Sequence, residues 1–431
     1  MKKIVKEILA TLGFTSLPYI YLYLYTQSFK NYIISLFKED VVYTNANYND
    51  QPILLLALFE KSYLRKDIIR LLEISKKVGL YVVAVNTKKL TDNNKAAHSA
   101  LIDTYIEKYN YGRDFGSYKT GFTYIFNQGW NEKTKRVLML NDSVYYDSDR
   151  VEKFLLEMIG TNVEVLGATE NVEINYHLGS FAISFSSKII NNKFFRKYWK
   201  EYSLSDVRPY VIKYGEMGLS KVLLKIVSND SEIKSLYDAK KVRQFLMESH
   251  ENIDKYVNFY RTSSLVDWPT LNISDLIENY IDYKRVNHNP SKTSSRENDS
   301  NIIKFHKSNE SSKYSYLTRL NDLSLVLNKL DNKSHDFVEK FYEYVVDNSV
   351  ENARFGSQIH QNNACFVLMG LPIVKLDGIY RGMFSEQDIT NFKFLMAEEN
   401  FSELVELLYK KTFGGKTYIG WKNIAFYRGL I

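Results

Sequence analysis

The segment that decides the fold is Arg136-Val-Leu-Met-Leu140, which runs directly into Asn141-Asp142-Ser143. An apolar run that stops abruptly at polar residues is typical of a strand buried on both faces of a parallel sheet. Leu80–Val85 has the same character and ends at Asn86. Two such strands predict a sheet whose polar residues gather at its carboxyl edge.

Shorter segments on both sides alternate in character between strand and helix. Strands are predicted at 41–43, 104–106 and 163–168, and helices at 68–78, 116–126 and 148–158. The spacing of apolar residues in Ile53–Phe59 also favours a helix. The alternation predicts an α/β fold with a mainly parallel sheet and helical additions, in which ligands bind beyond the carboxyl ends of the strands.

The composition is that of a globular protein and does not indicate a disulfide-rich or nucleic-acid-binding one. The 431 residues include 57 Lys+Arg and 50 Asp+Glu, and 45% of them are apolar, as in an ordinary globular protein. The single cysteine, Cys365, cannot form an internal disulfide, which favours the cytoplasm. The sequence contains no zinc finger, RNA-recognition signature or concentrated basic helix, so its net charge of +7 does not predict a nucleic-acid partner.

The amino-terminal segment is rich in tyrosine and carries no charge from Ile8 to Phe29, after a start that contains three lysines. Pro18 and several polar residues interrupt it, so it is poorly suited to span a bilayer. Tyrosine prefers the headgroup boundary, and lysine favours anionic lipid. Two interpretations stay open: peripheral contact with the inner face of the cell membrane, and ordinary packing against the rest of the protein.

The first motif with chemical potential is Asn110-Tyr-Gly-Arg-Asp-Phe-Gly-Ser-Tyr-Lys119. Gly112 and Gly116 allow a tight turn and a close approach of the backbone to a ligand. Arg113, the terminal lysine and the amino end of the following helix would suit a diphosphate. The alternative is an ordinary strand-to-helix turn in which Arg113 and Asp114 form a solvated pair.

Three further residues are candidates for chemistry. Asp142, at the carboxyl edge of the sheet, could hold a divalent cation together with substrate phosphates, or it could cap the next helix. His177 lies in Tyr176-His-Leu-Gly-Ser-Phe181, and Glu216 lies in Tyr214-Gly-Glu-Met-Gly-Leu-Ser220. Glycines flank Glu216 and could project it into a cleft, but both residues could equally be structural.

Taken in order, these segments resemble the rhamnan-synthesis glycosyltransferase family of bacterial surface-polysaccharide assembly. The resemblance rests on the Asn110–Lys119 run, the strand ending in Asn-Asp-Ser, the His-x-x-Ser-Phe segment, Phe194-Phe195-x-x-x-Trp199 and Gly-Glu-x-Gly-Leu-Ser. It covers about residues 40–225, and Gly370–Asp377 is similar to that family's carboxyl-terminal Pro-Phe-x-Lys-Arg segment. The sequence departs from the family after His177, where Leu-Gly replaces the common Ile-Gln.

The resemblance implies a GT-A type nucleotide-sugar-binding fold and an inverting transfer of a sugar, with rhamnose as one candidate, from a nucleoside diphosphate to a glycan or lipid-linked glycan. Asn141-Asp142-Ser143 stands where many such enzymes carry Asp-x-Asp, so Asp142 is the expected ligand of Mg²⁺ or Mn²⁺. Glu216 is the expected general base, and Glu170 is the reserve choice. The residues expected on the donor and phosphate side are Asn110, Gly112, Arg113, Asp114, Gly116, Lys119, Asn141, Ser143 and His177.

Four segments are predicted along the chain. They are an aromatic amphipathic segment at 1–39, the catalytic core at 40–235, a helical insertion at 236–350 with a flexible linker over 288–313, and a segment at 351–431 that completes the core and the acceptor side. Helices are predicted at 274–283, 334–347 and 392–409. The alternative function is a non-catalytic sugar-binding or assembly subunit of a polysaccharide synthesis complex.

Overall fold

The computed structural model of the chain describes residues 2–172, 174–260, 276, 280, 335–354 and 356–431, with side chains from residue 16 onward and, in the helix that starts at 335, from residue 338. The predicted helix at 274–283, apart from two residues, and the predicted linker at 288–313 lie outside the described residues. The proposed division into four segments therefore stays a prediction.

The centre of the molecule is a sheet that has nine strands within the described ranges. Its strands are β1 (Val41–Thr44), β2 (Ile53–Leu58), β3 (Tyr81–Asn86), β4 (Thr104–Glu107), β5 (Arg136–Asn141), β7 (Val165–Asn171), β8 (His177–Leu178), β9 (Ala182–Ser186) and β10 (Ile233–Tyr237). The order across the sheet is β1-β4-β3-β2-β5-β9-β7-β10, and β8 pairs with β7. Strands β2, β3, β4, β5, β7 and β10 run in one direction, which confirms the mainly parallel α/β fold.

A separate two-stranded ribbon consists of β6 (Val144–Tyr146) and β11 (Ile373–Lys375). The two strands are antiparallel, and Lys375 is opposite Val144. This pairing matters for the site because β6 begins just after the polar end of β5. It brings a segment from far along the chain to the carboxyl edge of the sheet.

The helices surround this sheet. Their bounds are α1 (Lys2–Ser35), α2 (Lys66–Lys77), α3 (Asp92–Ala97), α4 (Arg113–Asn127), α5 (Ser148–Gly160), α6 (Ser187–Asn191), α7 (Lys193–Glu201), α8 (Arg208–Tyr210), α9 (Met217–Ile226), α10 (Ala239–Met247), α11 (His250–Phe259), α12 (His335–Asn352), α13 (Gln358–Gln361), α14 (Asn363–Leu368), α15 (Glu386–Leu395), α16 (Glu398–Tyr409), α17 (Gly414–Thr417) and α18 (Gly420–Tyr427). A π-helical turn, Val211–Glu216, joins α8 to α9. Short 3₁₀ turns lie at Trp130–Glu132 and Asp230–Glu232.

The helical assignment of Ile53–Phe59 is wrong, because residues 53–58 form the central strand β2. Every residue of this strand is buried, and alternate side chains enter different hydrophobic clusters. Leu54 and Leu56 pack on one face of the sheet, while Ile53 and Leu55 pack on the other. A short, wholly apolar run satisfies helical spacing by default, so its periodicity cannot distinguish the two structures.

The predicted single helix at 392–409 is two helices, α15 and α16. Met396 and Ala397 have extended backbone angles between them, with ψ of 154° and 149°. Ser385 starts α15 with a reciprocal capping box to Asp388. The apolar spacing continues across the break, and this continuity hides the break in the sequence.

Helix α1 packs against the protein along one side. Ile20 is buried in a small cluster with Ala425 and Leu430. Further along, Ser28 contacts Ser205, and Asn31 donates a 2.7 Å hydrogen bond to Asp206. Within the described ranges, no helix combines the length and the apolar character needed to cross a bilayer.

A candidate active-site cleft at the carboxyl edge of the sheet

A polar cleft lies beyond the carboxyl ends of the parallel strands, where α/β sheets commonly bind ligands. Its charged and hydrogen-bonding lining is Arg113, Asp114, Ser143, Thr169, Glu170, Asn171, His177, Ser180, Arg208, Glu216, Ser357, His360, Lys375, Asp377 and Arg381. These residues come from β7, β8, β11, α4, α8 and α13, from the π-helical turn, and from connecting segments. The cleft therefore combines segments that are far apart in the chain, from residue 113 to residue 381.

The turn before α4 has unusual backbone geometry. Gly112 has φ of 91°, and the next residue, Arg113, has φ of 53°, which is rare for a residue with a side chain. The backbone N–H of Gly112 donates to Asp206 at 2.8 Å, which helps to fix the turn. Such strain is concentrated at functional sites. Here it places the exposed side chain of Arg113 at the cleft.

Gly116 has to be a small residue because the protein's own backbone, and not a ligand, approaches it closely. A Cβ at Gly116 would lie 2.3 Å from the carbonyl oxygen of Tyr111, and a Cβ at Gly112 would lie 3.0 Å from Leu204. The close approach occurs between the turn and its own helix. Neither glycine lines the cleft, so their observed role is to shape the turn that carries Arg113.

A hydrogen-bond network connects the end of β5 with the start of α4. Asn141 donates to the Asp114 carboxylate at 3.3 Å, and its own side-chain oxygen accepts from the Ser143 hydroxyl at 2.7 Å. Burial raises the pKa of Asp114, while Arg113 and Lys375 act in the opposite direction. Asp114 and Ser143, both expected on the donor side, line the cleft, and Asn141 links them without lining it itself.

Asp142 lies behind this wall and is almost fully buried. Its carboxylate accepts from the backbone N–H of Phe59, and its carbonyl accepts from Arg65 at 2.7 Å. Glu60, two residues after the end of β2, is near enough to influence the same carboxylate electrostatically. Burial, opposed by Arg65 and reinforced by Glu60, raises the pKa of Asp142 to about 7.

The carboxylates of Asp142 and Glu60 are the candidate ligands for a divalent cation. The described part of the chain contains no group of three or more His, Cys, Asp or Glu side chains suited to one. Two neighbouring carboxylates still fit a Mg²⁺ or Mn²⁺ ion that takes its other ligands from substrate phosphates. Asp142 and Glu60 are the candidates for that role, although neither lines the cleft itself, and the cation stays a prediction.

Glu216 is the last residue of the π-helical turn and faces the cleft. Its carboxylate accepts a 2.9 Å hydrogen bond from the Ser180 hydroxyl. It does not cap α9 with its side chain, and the ion pairs among the described residues do not join it to a lysine. π-Helical turns are frequent at functional sites. The geometry thus favours the cleft-facing interpretation of Glu216.

Glu170 and His177 lie on the paired strands β7 and β8. Burial, followed by repulsion from Asp238, raises the pKa of Glu170 to about 7. The His177 ring is buried, and its Nδ1 lies 2.8 Å from the carbonyl oxygen of Asn175. Both line the cleft with Glu216, so the main and reserve candidates for the base occupy the same site.

Four cationic side chains converge on the cleft. Burial, with repulsion from Arg381 and Arg113, lowers the pKa of Arg208 to about 10. Burial also lowers the pKa of Lys375, against the attraction of Asp377, Glu216 and Asp114. Like charges held together in this way favour an anionic ligand. We call Arg113, Arg208, Lys375 and Arg381 the anion subsite.

Part of the anion subsite is held by a partly buried carboxylate. Asp377 binds Arg381 at 2.5 Å and lies 3.3 Å from His360. Although burial acts to raise it, the neighbouring His360, Arg381 and Lys375 hold the pKa of Asp377 well below its usual range. This carboxylate therefore fixes Arg381.

Two residues expected near a phosphate lie elsewhere. Lys119 is outside the cleft lining and donates to the carbonyl oxygens of Lys200 and Tyr202, at 3.0 and 2.8 Å, where α7 ends. Lysine at such a position satisfies carbonyls left without a helical partner. Asn110 is exposed before the turn and is also outside the lining. Both residues therefore lie outside this cleft, and their expected contact with the donor stays a prediction.

No sequence pattern marked Arg208, Arg381 or His360 as site residues. Lys375 and Asp377 lie within Gly370–Asp377, but the sequence did not predict that they bind a ligand. The segment's similarity to a family motif was an available signal for them. Arg208 and Arg381 had no local signal, because only the folded chain brings α8 and the segment after β11 to the same cleft.

Comparison with known proteins supports the resemblance. Residues 82–248 match the family described as Rhamnan synthesis protein F, which confirms the resemblance over that range. The uncharacterized protein y4gN of Sinorhizobium fredii (strain NBRC 101917 / NGR234) is 24% identical over 171 residues, which cover 39% of this chain and 44% of that protein. Virulence protein VirA of Vibrio anguillarum is 33% identical over 101 residues, which cover 22% of this chain and 31% of that protein.

The chain thus spans less than half the length of either curated relative. Among solved structures, the glycosyltransferase GlyE of Streptococcus pneumoniae TIGR4 aligns with 68% of this chain and 64% of its own. The sequence identity is 14% and the TM-score is 0.24, values at which the alignment does not assign a function.

Proposed function

From the premise that residues 82–248 resemble the Rhamnan synthesis protein F family, we propose that the chain is a glycosyltransferase of polysaccharide synthesis with a GT-A type fold. It transfers one sugar, with rhamnose as one candidate, from a nucleoside diphosphate to a glycan or lipid-linked glycan. The observation that carries the proposal is the cleft at the carboxyl edge of the sheet. There the four cations of the anion subsite lie together with the carboxylates of Glu170 and Glu216.

The anion subsite supports the donor assignment. A sugar diphosphate carries negative charge, and more charge develops on it as the bond to the sugar breaks. Arg113 and Lys375 are oriented cations in a partly buried cleft, where such charges are stabilised more strongly than in water. Asp142 and Glu60 would hold a divalent cation, which supplies further positive charge for the phosphates.

The reaction is a single displacement with inversion. The acceptor hydroxyl oxygen forms a bond to the anomeric carbon, and the bond from that carbon to the diphosphate oxygen breaks. The hydroxyl proton passes to the Glu216 carboxylate, and the nucleoside diphosphate leaves. Ser180 orients this carboxylate through its 2.9 Å hydrogen bond.

Binding of the donor can be tested by thermal unfolding with a panel of nucleotide sugars. A donor at 100 times its dissociation constant should stabilise the wild-type chain by about 2.7 kcal/mol. Arg113→Met keeps the backbone and removes one charge from the subsite, so it should weaken this stabilisation at equal ligand concentration. Arg196→Met, an exposed arginine on α7, is the matched control and should behave like wild type. Stabilisation by no member of the panel, or equal stabilisation of Arg113→Met, would contradict the assignment.

A further inference from the structure

The outer side of α1 and the segment 410–428 form a second surface, distinct from the cleft. Helix α1 contacts α18 directly: the rings of Tyr23 and Trp421 lie 5.1 Å apart, and Ile20 is buried against Ala425. The α1 side therefore continues into α18 as one surface of folded protein.

This surface exposes large apolar and aromatic side chains. Tyr19 is 75% exposed, Phe37 is 80% exposed and Ile419 is 87% exposed. Further exposed members are Leu22, Tyr23, Tyr25, Phe29, Tyr32, Ile33, Leu36, Trp421 and Tyr427. Exposed apolar side chains gathered on two contacting helices mark a candidate interaction site.

The charge around these side chains has one predominant sign. Residues 410–431 contain four lysines and one arginine but no Asp or Glu, and α1 carries Glu7 as its only acidic residue beside four lysines. Lys30, Lys416 and Lys422 are exposed. Tyrosine and tryptophan prefer the headgroup region of a bilayer, and clustered lysines are attracted to anionic lipid. Glu39 and Asp40 are exposed just after Phe37, but lysine predominates over the surface. A protein partner would not account as directly for both the lysines and the tyrosines.

We infer that this surface binds the headgroup layer of an anionic phospholipid bilayer, with α1 and α18 lying in the plane of the interface. The inference joins the carboxyl-terminal segment, which no sequence pattern singled out, to the tyrosine-rich amino-terminal segment. The apolar side chains enter the boundary layer while the lysines contact lipid phosphates.

Direct contacts connect this surface to the cleft. Asn31 of α1 donates to Asp206, and the other carboxylate oxygen of Asp206 accepts from the N–H of Gly112, the residue before Arg113. Arg208 of the anion subsite donates to the carbonyl oxygen of Gly429, just after α18, at 3.0 Å. If the chain acts as proposed above, the acceptor would be presented at the lipid surface, and this last consequence rests on the proposed function.

Flotation of the purified full chain with liposomes tests the inference. Vesicles of phosphatidylcholine with about one third phosphatidylglycerol should bind the chain, vesicles of phosphatidylcholine alone should bind it much less, and binding should weaken as salt rises. The double variant Lys416→Glu/Lys422→Glu should lower partitioning at least tenfold, and Tyr19→Ser/Ile419→Ser should lower it as well. The matched controls are Lys153→Glu/Lys197→Glu and Phe394→Ser, which alter exposed residues on other helices.

Several results would overturn the inference. One is the absence of binding to anionic vesicles at low salt, and another is an equal loss in the control variants. A dimer that dissociates in the surface variants would assign the surface to a second copy of the chain. Circular dichroism checks that each variant is folded. The vesicles contain no nucleotide sugar, so failure here leaves the transferase proposal standing, and failure of the donor-binding test leaves this inference standing.

Discussion

At the residue scale, the contact between Glu216 and Ser180 is the most informative feature of the site. A carboxylate that accepts one hydrogen bond and faces a cleft retains free lone pairs for a substrate hydroxyl. Lys375 and Arg208 are near enough to respond to its charge. The arrangement holds the carboxylate without burying it in an ion pair.

Glu216→Gln should lower turnover by about two or more orders of magnitude, because the amide keeps the shape but cannot take the acceptor proton. Donor affinity should stay nearly unchanged. The measurement is the steady-state transfer rate together with the dissociation constant for the nucleotide sugar. Glu157→Gln, on the outer side of α5, is the control. Near-normal turnover in Glu216→Gln would move the role of the base to Glu170.

The raised pKa of Asp142 predicts how the stability of the folded chain depends on pH. Its folded-state pKa of about 7 lies above the value of about 3.9 for an unfolded Asp. Between these values the folded chain holds a proton that the unfolded chain has released. This contribution to stability is therefore complete below pH ~4, falls as the pH rises towards 7, and stays lost above it.

Asp142→Asn should flatten this dependence, because the amide does not titrate. Urea denaturation at pH 5 and at pH 7.5 measures it: the difference in free energy of unfolding should be smaller in the variant than in wild type. Asp230→Asn, an exposed residue, is the control. An identical pH dependence in wild type and Asp142→Asn would show that Asp142 is ionised in the folded chain across this range.

At the scale of the element, the strand-to-helix turn before α4 carries the anion subsite's most exposed arginine. Its shape depends on the contact between Gly116 and the carbonyl of Tyr111. The strained angle at Arg113 persists because this contact and the Asp206 hydrogen bond hold the turn from both sides.

Gly116→Ala should destabilise the chain by about 1–3 kcal/mol, because the new methyl group would lie 2.3 Å from a backbone oxygen that cannot move alone. In an ordinary helix the same change is stabilising. Gly160→Ala in α5 supplies that comparison, since its Cβ would meet nothing within 4 Å. Chemical denaturation of both variants measures the difference. A neutral or stabilising Gly116→Ala would show that the turn is not tightly packed.

The elements differ in how far the sequence could predict them. Strand β5 and strand β3 are uninterrupted apolar runs that end in polar residues, and the structure has them almost as predicted. Strand β2 is just as apolar. Because all of its residues are apolar, the run also fits the spacing expected of a helix. The break between α15 and α16 has no Pro or Gly to mark it. Local pattern predicts an element well only where it excludes the alternatives.

At the scale of the whole molecule, the site depends on contacts between distant parts of the chain. Pairing of β11 with β6 places Lys375 beside the end of β5, more than two hundred positions earlier in the sequence. Such contacts leave no periodic signal. The sequence motifs therefore predicted cleft residues on α4, β7, β8 and the π-helical turn, and assigned no role to Arg208, Lys375 or Arg381. The position of Lys119 outside the cleft has the same origin, since its partners lie at the end of α7.

The central claim is that this cleft transfers a sugar, and the most direct measurement is acceptor-dependent release of nucleoside diphosphate. The purified full chain is mixed with the nucleotide sugar that stabilises it most, with and without a glycan acceptor. The account predicts release of nucleoside diphosphate and growth of the acceptor by one sugar only when both are present, with little of either in Glu216→Gln. Tight binding of the nucleotide sugar without any acceptor-dependent release would contradict the account and identify the chain as a non-catalytic sugar-binding subunit.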